Sequence, residues 1–205
     1  MATYFVSRAR SIGLVLMALL VSAPAAAQGA NDGPPNLQHA TMLSGFVGAA
    51  PAGSTLAPAA GGAIGWQLVP RFGLEARGYW LQPGAASNAF AATVALRVAL
   101  RPGARVAPFG MAGVGLYNAR FDTTFDGVPE FYRARLTAAP AALPGASFTD
   151  PVVSFGGGAD LRLSRHVALR PEANVLLVTT RSAVRAVPVY GIQLVFHFES
   201  TQVIR

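Results

Sequence analysis

The chain contains no cysteine and no lysine, and only 12% of its 205 residues are charged. The absence of cysteine excludes disulfides, thiolate metal sites and a cysteine nucleophile together. The absence of lysine makes arginine the only strong base: all 16 basic residues are Arg, against nine acids. They are dispersed along the chain and form no clustered basic patch with interleaved aromatics, so the high pI does not describe a nucleic-acid surface, and no nucleic-acid partner is expected. Histidine is limited to His39, His166 and His197, too scattered for a structural metal centre. No glycine-rich phosphate loop is present. Neither a metal nor a cofactor is expected.

What the chain does have is apolar surface, 52% of residues being hydrophobic with a mean hydropathy of +0.41. That excess is unusual for a water-soluble domain. Part of it lies in residues 1–27, where Arg8 and Arg10 precede an uncharged apolar run from Ile12 to Val21 and then Ala25, Ala26 and Ala27. This is the layout of a cleaved secretory signal peptide, so the exported chain is expected to run from Gln28 as a single domain. Residues 28–40, punctuated by Gly29, Gly33, Pro34 and Pro35, read as a flexible lead, and residues 199–205 as a short tail.

From Thr41 to Phe198 the apolar residues recur with period two. The last segment is the clearest: Ile192, Leu194, Phe196 and Phe198 share one face, and Gly191, Gln193, Val195 and His197 the other. Seven further segments of about 8 to 13 residues match the length that a tilted membrane strand requires. They begin near Thr41, Ala60, Phe72, Ala89, Val106, Val152 and Val167, and the facing of the first is ambiguous. A strand that is apolar on one face needs partners on both edges and an apolar medium outside, which a closed barrel in lipid supplies. The expected fold is therefore all-β, an eight-stranded antiparallel up-and-down transmembrane barrel over residues 41–198.

Connections after the second, fourth and sixth strands are tight, whereas the others are longer, the asymmetry of an outer-membrane barrel. Both termini and the tight turns are thus assigned to the periplasm. Ala50–Ala59, Gln82–Asn88, Ala119–Pro151 and Thr179–Ala186 are assigned to the outside. Outward aromatics divide into two groups, Trp66, Phe72, Phe196 and Phe198 near the periplasmic ends and Trp80, Phe90 and Phe155 near the outer ends, as interfacial girdles require. Pro108 and Pro171 fall inside strands, where each removes a ladder donor.

An eight-stranded barrel is just wide enough for side chains to fill it. The inward positions include Glu75, Arg77, Arg97, Asp160, Arg162, Arg170 and Glu172, a near balance that predicts a mutually paired charge network in the lumen. Inward Gly113, Gly115, Gly156 and Gly158 are expected to make room for the long arginines. The connection 119–151 is the likeliest contact surface by composition, with Phe121, Phe125, Phe131, Tyr132, Arg133 and Arg135 as candidates, or else a protruding extension of the flanking strands.

The eight alternating strands, the segment FGMAGVGLY from Phe109 to Tyr117, the segment GGGADLRLSRHVALR from Gly156 to Arg170 and the Phe198 ending resemble the small OmpA/OmpX-type outer-membrane β-barrel family. The resemblance covers most of 41–198 and implies a barrel without the peptidoglycan-binding domain of OmpA proper. Gly191, Leu194, Phe196 and Phe198 are similar to the C-terminal signal by which such barrels engage the barrel assembly machinery. Outer-membrane lipid and lipopolysaccharide follow as partners. Some similar barrels are lipid A deacylases or palmitoyltransferases, but here every histidine is assigned to the periplasmic side, out of reach of an outer-leaflet substrate. The expectation is a non-enzymatic barrel with a structural or surface-interaction role, with a narrow-channel porin as the alternative, a lipid A-modifying enzyme third, and a soluble lipocalin-like barrel as the rival fold.

Overall fold

The computed structural model describes residues 41–52, 55–82, 87–121, 132, 146–180 and 183–198. The expected signal peptide (1–27), lead (28–40) and tail (199–205) lie outside the described residues. The described chain forms eight strands: β1 (Thr41–Ala52), β2 (Thr55–Val69), β3 (Phe72–Leu81), β4 (Ser87–Ala99), β5 (Val106–Phe121), β6 (Ala146–Arg162), β7 (Val167–Thr179) and β8 (Val184–Phe198).

Each strand pairs antiparallel with the next, and β1 pairs with β8, so the sheet closes on itself. The closing seam runs from Thr41↔Phe198 to Ala49↔Tyr190. Closure removes every strand edge, the condition for a sheet to stand in hydrocarbon. One end of the barrel carries Thr41, Phe198 and the connections β2–β3, β4–β5 and β6–β7, at residues 70–71, 100–105 and 163–166. The other carries the four remaining connections, and these are called below the turn end and the loop end.

Alternation in the sequence becomes alternation in burial. Along β4 every second residue from Ser87 to Ala99 is buried and the intervening ones face out. The ambiguous first strand resolves the same way, with Met42, Ser44 and Phe46 inside and Leu43 and Val47 outside. The outer face is a continuous apolar band: Val94, Val114 and Val153 lie side by side across β4, β5 and β6, and all are exposed. Soluble monomers rarely show a contiguous apolar surface of this extent. Trp66, Phe72, Phe196 and Phe198 face outward towards the turn end, and Trp80, Phe90 and Phe155 face outward further towards the loop end, joined by Tyr190.

The strands run further towards the loop end than the sequence reading allowed. Ala52↔Thr55 closes β1–β2, and the β5–β6 ladder continues to Phe121↔Ala146. The four loop-end connections thus shrink to residues 53–54, 82–86, 122–145 and 180–183, so the expected contrast in length between the two ends is carried by 122–145 alone, the other three being no longer than the six-residue β4–β5 turn. The reason is visible on the outer face. Beyond Leu116 and Val153 it turns polar, and Asn118 Nδ2 donates to Ser147 Oγ (3.1 Å) and Thr149 Oγ1 (2.8 Å). The hairpin therefore continues past the apolar band with its backbone still paired.

The two strand prolines are accommodated differently. Pro108 lies just past the last β4–β5 pair, Ala99↔Phe109, its carbonyl accepting from the Leu100 amide at 2.8 Å, while on its other side it stays in register with Ala159 of β6. Pro171 interrupts a ladder: β6–β7 pairing passes from Gly158↔Glu172 to Leu161↔Leu169 with no pair between them. A donor missing at Pro171 explains the gap.

Candidate functional site

The lumen is the site that the topology builds, and it has two halves. Towards the turn end six of the seven anticipated charges meet in one buried cluster: Glu75 and Arg77 from β3, Arg97 from β4, Asp160 from β6, and Arg170 and Glu172 from β7. Arg170, among the largest fully buried side chains, is the hub. Its Nε donates to Asp160 Oδ1 at 2.5 Å and its Nη1 to Glu75 Oε1 at 2.9 Å. Arg97 donates through Nη2 to Asp160 Oδ2, and its Nε lies 3.6 Å from Glu75 Oε1. Arg77 donates to Glu172 Oε2 at 2.5 Å and approaches Glu75 Oε2 at 3.5 Å. Glu172 also accepts from Asn174 Nδ2 at 2.9 Å.

Arg162 does not join this cluster. Its Nη1 donates to the Gly103 carbonyl at 2.9 Å, tying the end of β6 to the β4–β5 turn, where Gly103 takes a positive φ of 84°. Without it three guanidiniums face three carboxylates, an exact charge balance. Balance is what makes burial tolerable, because an unpaired ion in this environment costs several kcal/mol, on the order of the stability of a whole domain. Phe109 completes the packing, with the guanidiniums of Arg97 and Arg170 at 4.6 Å and 5.0 Å from its ring centroid.

The inward glycines have a different role from the one expected. A Cβ on Gly115 would collide with the Ala92 carbonyl, and one on Gly113 would lie 2.5 Å from the Val94 carbonyl. The obstacle is the backbone of the neighbouring strand rather than an arginine. These glycines therefore permit the close strand approach of a narrow, strongly coiled barrel.

Towards the loop end the lumen is mainly apolar, with Ser87, Asp150 and Thr180 buried among its side chains. Tyr79, Leu81, Tyr117, Val152, Leu176 and Val189 belong to one buried cluster, and Phe46 meets Tyr79 edge-on at 5.4 Å. The cluster continues to the mouth, where Tyr132 stacks on Phe148 (5.1 Å between centroids, 12° between planes) and contacts Phe121 at 5.2 Å. Tyr132 Oη donates to Asp150 Oδ2 at 3.0 Å, which satisfies both groups in the apolar setting. Phe121 and Tyr132, proposed from sequence as contact residues, have no exposed surface. They close the lumen instead. Phe125, Phe131, Arg133 and Arg135 lie outside the described residues.

Between the two halves lies a polar layer. Thr93 Oγ1, Ser154 Oγ, Tyr117 Oη, Asn174 Oδ1 and Gln193 Oε1 are buried and find no protein hydrogen-bond partner. Among the described histidines, His166 is exposed in the β6–β7 turn and His197 is half-buried at the turn end. Among the described residues no three His, Asp or Glu side chains are grouped to hold a metal.

A closed antiparallel barrel with an apolar exterior and a filled interior defines a membrane-spanning β-barrel protein. The family model of the outer membrane protein β-barrel domain matches residues 13–196, and the chain belongs to that family. It is thus a transmembrane barrel of the outer membrane of Gram-negative bacteria, of the small OmpA/OmpX type. No curated protein matches it. Among solved structures it is similar to the N-terminal barrel of OprF from Pseudomonas aeruginosa, with 11% identity, a TM-score of 0.56, and coverage of 78% of this chain and 98% of that one. OprG from Pseudomonas aeruginosa gives 12% identity, a TM-score of 0.56, and coverage of 82% and 100%. Neisserial surface protein A gives 12% identity, a TM-score of 0.53, and coverage of 78% and 96%. At these identities the likeness is one of fold.

Proposed function

We propose that this protein is a sealed, non-catalytic outer-membrane barrel whose role is structural or one of surface interaction, exerted through the hairpin that β5 and β6 carry beyond the membrane. The observation that carries the reading is the position of Tyr132, buried between Phe148 and Phe121 in the barrel mouth. With the ion cluster below it, the lumen is obstructed at two levels of opposite chemistry. The loop end faces the outside, where lipopolysaccharide is the lipid neighbour, and the turn end faces the periplasm. Export proceeds by removal of residues 1–27, and β8 presents Gly191, Leu194, Phe196 and Phe198 to the assembly machinery.

A lipid-modifying reaction finds little support in this arrangement. Among the described residues the histidines lie at the turn end and the three carboxylates of the ion cluster are committed to arginines, while Asp150 in the mouth accepts from Tyr132 beneath the aromatic closure and has no histidine beside it to act with on an outer-leaflet acyl chain. The narrow-channel alternative draws on one specific observation, the five partnerless oxygens of the middle layer, which describe a polar passage interrupted above and below.

Planar-bilayer recording of the refolded chain separates the two readings. The sealed barrel gives no stepwise ohmic current. Stepwise conductance in the unmodified protein, altered by Glu75→Gln or Arg97→Met, overturns it in favour of the channel.

A further inference from the structure

Three described turns at one end of the barrel carry arginine and no carboxylate. Arg71 lies in the β2–β3 turn, Arg101 and Arg105 in the β4–β5 turn, and Arg165 in the β6–β7 turn, and all four are exposed. Each stands within two residues of an outward apolar side chain: Val69 and Phe72 flank Arg71, Leu100 precedes Arg101, Val106 follows Arg105, and Leu163 shortly precedes Arg165. The guanidiniums are thus held where the apolar band ends, at the depth of lipid headgroups.

The rim that carries them is fixed by backbone hydrogen bonds from each turn to the strand beyond it. The Ala99 amide donates to the Arg71 carbonyl (2.8 Å), the Arg162 amide to the Arg105 carbonyl (2.9 Å) and the His197 amide to the His166 carbonyl (2.8 Å). Arg162 adds its side-chain bond to Gly103. An array of cations on a preorganised frame, with no acid among the turn residues and continuous with the lipid-facing surface, suits phosphate groups that lie in the same plane.

We infer that the turn end is a binding surface for anionic phospholipid headgroups of the membrane leaflet it faces. Under the sidedness proposed above, that is the periplasmic leaflet, and the inference rests on that reading for its location. Phospholipid is favoured over the cell wall because these arginines flank side chains that are themselves in the hydrocarbon. A wall polymer would have to be met by groups projecting away from it.

The test has two arms. In the first, the folded protein is placed in mixed phosphatidylglycerol and phosphatidylcholine nanodiscs, and the lipids retained around the barrel are measured by native mass spectrometry. The unmodified protein is expected to retain phosphatidylglycerol about fivefold over its share of the mixture, weakening as salt is raised. Replacing the four exposed arginines by Gln removes the preference, and replacing them by Lys keeps it; retained heat-modifiable migration shows that both variants fold. Equal retention of the two lipids, or a preference unchanged by the Gln variant, overturns the inference. So does Arg-dependent binding to purified peptidoglycan without lipid preference. In the second arm, Arg101→Cys in this otherwise cysteine-free chain is probed with a membrane-impermeant maleimide. Labelling only after the outer membrane is permeabilised places the surface in the periplasm. Labelling of intact cells overturns the sidedness while leaving the lipid measurement standing.

Discussion

Arg170 on β7 reaches Glu75 on β3 across the full width of the lumen, Nη1 to Oε1 at 2.9 Å. In a ring of eight the two strands stand opposite each other, so this one bond braces walls that share no ladder. The same guanidinium holds Asp160 on β6. The centre of the turn-end half is therefore cross-linked by charge, while its perimeter is held by backbone bonds.

Cross-linking by charge predicts a non-additive mutational response. The Arg77–Glu172 contact, at 2.5 Å and nearly devoid of solvent, is a suitable pair. Arg77→Met or Glu172→Gln alone leaves a buried ion short of its partner and should cost roughly 3–5 kcal/mol. The double variant should lose clearly less than the sum of the two. Urea unfolding in lipid vesicles, followed by tryptophan fluorescence, measures all three.

The glycine argument yields a second expectation. Gly115→Ala places a methyl group against the Ala92 carbonyl on the adjacent strand, so β4 and β5 must separate locally. A loss of about 1–3 kcal/mol is expected, as for other overpacked sites. Gly45→Ala, where nothing lies within 4 Å of the added atom, serves as the matched control and should be close to neutral in the same unfolding assay.

Depth on the outer face supplies a third. Val94 lies in the middle of the apolar band, next to Val114, so Val94→Arg should destabilise by roughly 2–4 kcal/mol. The same substitution at Asn88, on the polar extension towards the loop end, should cost little. Equal costs at the two positions would mean that both meet the same solvent.

Much of this architecture was legible in the chain. Period-two alternation is a local property, and it gives the inward and outward faces along most of β2 through β8; it fails at Ala159, expected outward but buried, where the β6–β7 ladder is interrupted opposite Pro171. Glu75, Arg77, Arg97, Asp160, Arg170 and Glu172 were legible as inward because charge contrasts sharply with the Val, Leu and Phe of the other face. The apolar half of the lumen was harder to see for the converse reason. At Leu81, Ala89, Val152 and Leu176 both faces are apolar, so alternation persists in geometry while its contrast disappears. The ends of the strands are not legible because the pattern stops reporting burial where the outer face becomes polar, although the backbone ladder continues to Phe121↔Ala146. Tyr132 was legible only as an aromatic in a long connection. Its insertion into the mouth depends on Phe121, Phe148 and Asp150, which approach it in space rather than in sequence.

The account depends most on hydrocarbon covering the outer face, and β5 offers a direct measurement. Its outward residues Val114, Leu116, Asn118 and Arg120 climb from the apolar band to the polar extension. A single cysteine at each position, carrying an environment-sensitive fluorophore, can be reconstituted in vesicles whose acyl chains are brominated at mid-depth. Quenching should be strongest at Val114, weaker at Leu116 and absent at Arg120. Uniform quenching along the strand, or a probe at Val114 that is reached by an aqueous quencher instead, would contradict a barrel standing in the membrane.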